Sequence, residues 1–188
     1  MTASGGPDPI DAAFGALSDA ALRRSYALAG YLLGNSMDAE DATQEAMARA
    51  WRARRSLRDP AVFDAWLDRI LVNTCRDRMR RRRIVQIVDL EAGGELEGRD
   101  PFREFLVRDE LGAVLDALTP DQRIVVVLRF WRDLSLDQIS ERLGWPLGTV
   151  KSRLHHAMAA MRDRLESDAA RNDAARGDAA HEPGEVAR

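Results

Sequence analysis

The chain is poor in the residues that most compact reactive sites require. One cysteine, Cys75, in 188 residues excludes a disulfide framework and most zinc arrangements, and it suits a reducing compartment. There are three histidines, His155, His156 and His181. The first two are adjacent, so a helix points them apart, which is poor geometry for one metal. No Gly-rich phosphate loop is found. The many carboxylates fall on helix faces without polar partners that would tune them for proton transfer. No catalytic residue, cofactor or metal is therefore expected, and the chain reads as non-enzymatic. No apolar run approaches the ~18–20 residues of a membrane span, and no signal-peptide pattern opens the sequence. A cytoplasmic protein without membrane insertion is expected. Lysine is nearly missing as well: Lys151 stands alone against 27 arginines. That imbalance suits a GC-rich genome as much as a need for arginine chemistry.

A hydrophobic share of 45% is enough to build real cores, so the formal charge of −3 has to be read by region. Residues 84–101 carry −4, residues 166–188 carry −3 and residues 1–13 carry −2, which leaves +6 on the rest. The parts expected to fold are basic and the parts expected to be flexible are acidic. Acidic segments oppose the phosphate attraction on which nucleic-acid binding rests, so weak DNA binding by the chain alone is expected.

The most informative stretch runs from Asp133 to Leu165. Ser135 suits an N-cap and Gln138 completes a capping box. Leu136, Ile139 and Leu143 repeat at helical spacing. Gly144-Trp145-Pro146 stops this short helix, and a second one starts near Pro146 or Leu147. On the second helix Val150, Leu154, Ala157, Met161 and Leu165 share an apolar side. Gly148, Thr149, Ser152, His155 and His156 lie opposite, flanked by Lys151 and Arg153. A helix with an apolar back and a small, polar, cationic front suits a DNA major groove, where hydroxyls and imidazoles reach base edges and cations reach phosphates. An ordinary helical hairpin with a solvated basic face remains the plain alternative.

Upstream the pattern is helical throughout. Ala12 to Leu33 keeps an apolar stripe that Gly34-Asn35-Ser36 breaks. Asp38 is expected to cap the next helix, whose narrow apolar face is Ala42, Ala46, Met47, Ala50 and Trp51. Its N-terminal half is acidic and its C-terminal half basic, which fits a helix matched to its own dipole or a polar docking face. Asp59-Pro60 marks a loop. A long helix follows from about Val62 to Arg83, with Phe63, Trp66, Leu67, Ile70, Thr74 and Met79 inside and Asp64, Asp68, Arg69, Asn73, Arg76 and Arg80 outside. Its arginine-dense end, combined with aromatics and an asparagine, has the makings of a single-strand binding surface. Trp51 and Trp66 are nonetheless expected in the core. Ile84–Val88 reads as a short strand or packed linker, followed by acidic, Gly-rich chain. Phe102 to Leu118 is expected to be helical. Thr119-Pro120 starts the next helix, and Ile124–Leu128 with Phe130 and Trp131 is expected to centre a second core.

The expected fold is all-α: two small helical domains joined by a flexible acidic linker, the second ending in a helix-turn-helix. The boundaries are a disordered lead at 1–11, a first domain at 12–83, the linker at 84–101, a second domain at 102–166 and a disordered tail at 167–188. A stand-alone duplex-reading regulator and a helical adaptor are both still open on these residues.

Taken in order, the segments D-A-E-D-A-T-Q-E-A, A-W-R-A-R, F-D-A-W-L-D-R-I-L-V-N-T-C-R-D-R-M-R-R-R-R, L-T-P-D-Q-R-I-V-V-V-L-R-F, L-S-L-D-Q-I-S-E-R-L-G and G-T-V-K-S-R-L-H-H-A resemble the extracytoplasmic-function sigma factors of bacteria. The resemblance covers about residues 12–166. It implies a factor that directs core RNA polymerase to promoters and helps melt them, in a stress or envelope response. It implies polymerase docking by Asp41, Gln44 and Glu45 on the largest subunit, with the second domain near the second-largest. It implies contact with minus-ten DNA by Phe63, Trp66, Arg69, Asn73, Arg76, Arg78 and Arg80, where Asn73 reads a base and Arg76, Arg78 and Arg80 track phosphates. It implies contact with the minus-thirty-five duplex by Thr149, Lys151, Ser152, Arg153, His155 and His156. Promoter DNA and an anti-sigma protein are the other implied partners. His155-His156 departs from the family pattern, in which an aromatic or basic residue and then Arg often follow S-R-L.

Overall fold

The computed structural model describes residues 9–92 and 109–179. The helices are α1 (Pro9–Leu33), α2 (Ser36–Ala53), α3 (Phe63–Ala92), α4 (Asp109–Asp116), α5 (Pro120–Val126), α6 (Leu136–Leu143) and α7 (Leu147–Ala179). No strand occurs among the described residues. The backbone over Ile84–Val88 is helical, because α3 continues past Arg83 instead of giving way to a strand or linker. The tail expected to be disordered is helical as far as Ala179, and Arg164 and Arg171 bridge to Asp168 along it. The calls on residues 1–8, 93–108 and 180–188 lie outside the described residues.

The local signals act as the chemistry requires. Gly34 takes a φ of 65° after α1, and the cap of α2 is Asn35, whose side chain accepts from the Asp38 N–H at 2.9 Å. Asp38 is thus inside the first turn, where an acid favours the helix dipole, and is not the cap. Thr119 with Gln122 and Ser135 with Gln138 both close full capping boxes. Gly144 ends α6 in the left-handed conformation, at a φ of 67°. A Cβ there meets Arg69 Nη2 at 3.1 Å, but that atom ends a flexible side chain, so the backbone decides the cost. Gly144→Ala should destabilise the fold by about 1–2 kcal/mol, the penalty of a left-handed L-residue. A urea midpoint indistinguishable from that of the native chain would refute this.

Helices α1 to α3 pack as a bundle. Ala39, Ala42, Ala46 and Ala50 are fully buried, and their small side chains let α2 lie close to its neighbours. At one end Phe14, Ala21, Ala50, Leu57, Phe63 and Leu67 form their own cluster. The largest core runs across both halves of the chain. It joins Leu28, Leu32, Leu71, Val72 and Cys75 to Ile124, Val125, Val127, Leu128, Ile139, Leu143 and Val150. Burial pushes the Cys75 thiol up to about 12.

The expected second core is therefore largely shared with the first. Phe130 is not part of it and is 61% exposed. Residues Val127–Trp131 form a π turn, which holds more residues than an α turn, so a face extrapolated at α pitch is lost there. Trp131 turns instead to Tyr31 of α1, with ring centroids 4.8 Å apart. Leu165 is also exposed, because the apolar cluster along α7 ends at Met161.

Candidate nucleic-acid interface

The α6–turn–α7 unit is built from its caps inward. Gly144 turns the chain, Trp145 N–H donates to Ser140 O at 3.1 Å, and Pro146 O accepts from the Thr149 and Val150 N–H groups in the first turn of α7. Val150 and Ala157 are buried and seat α7 on the core. Lys151, Ser152, His155 and His156 are exposed on the opposite side, and Thr149 is half-buried beside them. The two imidazoles lie 5.7 Å apart, centroid to centroid. Arg153 is different. It is turned back, with Nη2 2.9 Å from Asp121 and its guanidinium 4.0 Å from the Trp145 ring.

Helix α3 carries the other candidate surface. Arg69, Asn73 and Arg80 are exposed and follow one another at helical spacing. Arg76 faces Asp121 through two hydrogen bonds of 2.5 and 2.9 Å, and it also lies 5.1 Å from the Trp145 ring. Arg80 reaches the same carboxylate at 3.6 Å. Trp66 is half-buried against Phe63. Phe63 itself is only 1% exposed and packs edge-on to Phe14 at 5.5 Å, so no face of its ring is offered to a base. Trp51, expected inside, is 44% exposed: it sits at the edge of the cluster, with Phe14 edge-on at 5.3 Å and Arg54 over its ring at 3.9 Å.

Arg78 does not face outward with the others. It donates to Glu45 at 3.0 Å and lies 3.7 Å from Asp41, both on α2. The hydrogen bond from Arg78 holds the Glu45 carboxyl below the usual carboxylate range, against the opposing effect of partial burial. A lowered folded-state value means that the pairing is present at neutral pH and is lost only as pH falls through that value. Gln44 is exposed and donates to Glu40 at 3.1 Å. Asp41, Gln44 and Glu45 thus share one polar stretch of α2, two of them tied to α3.

Two residues that bear on this surface were not foreseen. Asp68, expected outside, is 2% exposed and pairs with Arg132 at 2.8 Å and with Arg142. Asp121 collects arginines from α3 and α7. Helical spacing places Asp68 off the local apolar stripe, and only the packing of the second half against α3 covers it.

Residues 17–84 match the family model described as Sigma-70 region 2, and residues 108–161 match Sigma-70, region 4. The chain is 39% identical over 148 residues to the ECF RNA polymerase sigma factor SigE of Mycolicibacterium smegmatis, covering 76% of this chain and 57% of that one. It thus spans little more than half the length of that relative. It is 37% identical over 134 residues to the RNA polymerase sigma-E factor of Streptomyces coelicolor, covering 71% of this chain and 75% of that protein. Among solved structures, the sigma factor RpoE in complex with the anti-sigma factor NepR from Bartonella quintana aligns with a TM-score of 0.63 at 27% identity, over 82% of this chain and 98% of that one. CnrH in complex with the cytosolic domain of CnrY aligns with a TM-score of 0.56 at 26% identity, over 82% and 88% respectively.

Proposed function

The chain belongs to the extracytoplasmic-function RNA polymerase sigma factors, and from that premise we propose how its residues divide the work of initiation. Core RNA polymerase docks on α2 through Asp41, Gln44 and Glu45, on its largest subunit, and the second domain sits near the second-largest. Asn73 reads an exposed base of the minus-ten element, with Trp66 and Arg69 beside it and Arg76 and Arg80 along the phosphates. Arg78 is withdrawn from these contacts, since it pairs with Glu45 and Asp41 of α2. Thr149, Lys151, Ser152, His155 and His156 face the minus-thirty-five duplex, and Arg153 joins them once it leaves Asp121. Phe63 is withdrawn from the DNA contacts, since its ring is enclosed.

The observation that carries this reading is the seating of α7. Val150 and Ala157 of its apolar back are buried while Lys151, Ser152, His155 and His156 stand clear on a firmly capped unit. Such a helix presents donors and acceptors at fixed positions, as groove readout requires. The chain contributes no catalysis of its own, and polymerase performs the chemistry. Its domains are the first at 12–83 and the second at 102–166. No helix among the described residues is long and apolar enough to cross a membrane. The cytoplasm, where core polymerase works, is the proposed location. An anti-sigma protein is a further proposed partner, supported by the likeness of this chain to the sigma factor RpoE solved in complex with the anti-sigma factor NepR.

The test is run-off transcription. Purified chain is added to core polymerase on genomic promoter fragments. Discrete transcripts that depend on the chain are expected. Duplex binding unaffected by polymerase, without transcripts, would instead make the chain a stand-alone regulator.

A further inference from the structure

We infer that Asp68 and Asp121 latch the two domains in a closed state of the free chain, which holds back arginines of both promoter-facing elements. The inference rests on the sigma-factor reading only for what those arginines are withheld from. Each carboxylate works across the joint. Asp68 of α3 is enclosed between Arg132, after the π turn, and Arg142 of α6. Asp121 of α5 binds Arg76 and Arg80 of α3 while also holding Arg153 of α7. Between them Trp145 has Arg153 at 4.0 Å and Arg76 at 5.1 Å, so one arginine from each half meets the same ring. Arg123 completes the joint by donating to Leu32 O, a carbonyl in the last turn of α1, at 3.1 Å.

The charges show why this joint both forms and releases. The first half is basic and the second nearly neutral, +5 over residues 14–83 against +1 over 102–165. The arginines that meet at the joint nevertheless repel unless carboxylates lie between them. Asp121 sits where a backbone phosphate would satisfy the same guanidinium groups, and a duplex or single strand offers many phosphates. The joint is also imperfectly satisfied. Arg132 Nε and Arg153 Nη1 are buried without a hydrogen-bond partner in the protein. Separation rehydrates both, which lowers the cost of opening. The shared apolar core keeps the free chain closed, and buried Asp68 with half-buried Asp121 decides whether closing is tolerated. With Asp68 neutralised, Arg132 and Arg142 are left desolvated and uncompensated, and opening relieves them.

The experiment uses the full chain with spin labels at Met37→Cys on α2 and Glu141→Cys on α6, both exposed positions. The background is Cys75→Ala, with helical content checked by circular dichroism. The expected result is one narrow distance population that lengthens and broadens in Asp68→Asn. Affinity for a promoter duplex without polymerase should rise about tenfold, as expected if roughly nine-tenths of the free chain is closed. Arg142→Gln removes a cation rather than an anion, yet it should also lengthen the distance, by less, since Arg132 remains. A broad, long distribution in the unmutated background would overturn the latch. So would Asp68→Asn and Arg142→Gln distances equal to those of that background. A chain that opens in Asp68→Asn but gives no run-off transcripts leaves the latch standing and removes the functional reading.

Discussion

Phe63→Ala should lower the stability of the chain by about 3–5 kcal/mol, the usual cost of deleting a large aromatic from a packed core. The ring is enclosed by Phe14, Ala21, Ala50, Leu57 and Leu67, with Trp66 tilted against it at 6.0 Å. It is the first residue of α3 and faces α1 and α2, so its removal opens a void where all three helices of the first bundle meet. A loss of that size is a large part of the ~5–15 kcal/mol that holds a domain together. It should appear as a fall in urea midpoint at nearly constant slope. A base-stacking Phe63 gives the opposite pattern: little change in stability and a loss of about 1–3 kcal/mol in single-strand binding. A stability loss below about 1 kcal/mol would therefore return Phe63 to the DNA surface.

Asn73→Ala should behave in the reverse way. The side chain is exposed on α3, one turn beyond Arg69 and in line with the arginines that follow. Stability should change by no more than about 0.5 kcal/mol, as for an ordinary surface position. Promoter opening should fall about tenfold to a hundredfold, because a base contact of this kind carries about 1–3 kcal/mol. Permanganate footprinting of the melted region measures this, with polymerase affinity followed in parallel and expected to stay within about twofold. An outright loss of polymerase binding would assign Asn73 to docking rather than base reading.

These two neighbours on one helix show where sequence reading succeeds and where it stops. Asn73 and Phe63 both lie in a stretch that resembles the DNA-contacting part of a sigma factor. Periodicity separates them correctly, since Phe63 falls on the apolar side of α3 and Asn73 outside it. The resemblance overrode that reading for Phe63. The same periodicity failed for Asp68, which sits off the apolar stripe and is nevertheless buried. Hydrophobic spacing reports the face a helix turns to its own bundle. It is silent about a second surface that folds over the polar side later. Phe130 failed for a local reason, the π turn, which changes the angle per residue without a breaker residue to announce it.

The cap of α2 and the lengths of α3 and α7 aside, the sequence by itself determined where most helices lie, the caps of α5 and α6 and the exposed front of α7. These depend on residues a few positions apart: Ser135 with Gln138, Thr119 with Gln122, Gly144 at its turn, and Val150 with Ala157 against Ser152 and His156. Such contacts are set by helical pitch and by backbone groups that need partners nearby. Only the tertiary structure decided which charges meet. Asp68 with Arg142, and Asp121 with Arg76, are separated by long stretches of chain, and many arginines were equally eligible for each carboxylate. Which pair forms depends on how the two apolar faces close on each other, and that closure turns arginines suited to phosphates back onto the protein's own acids.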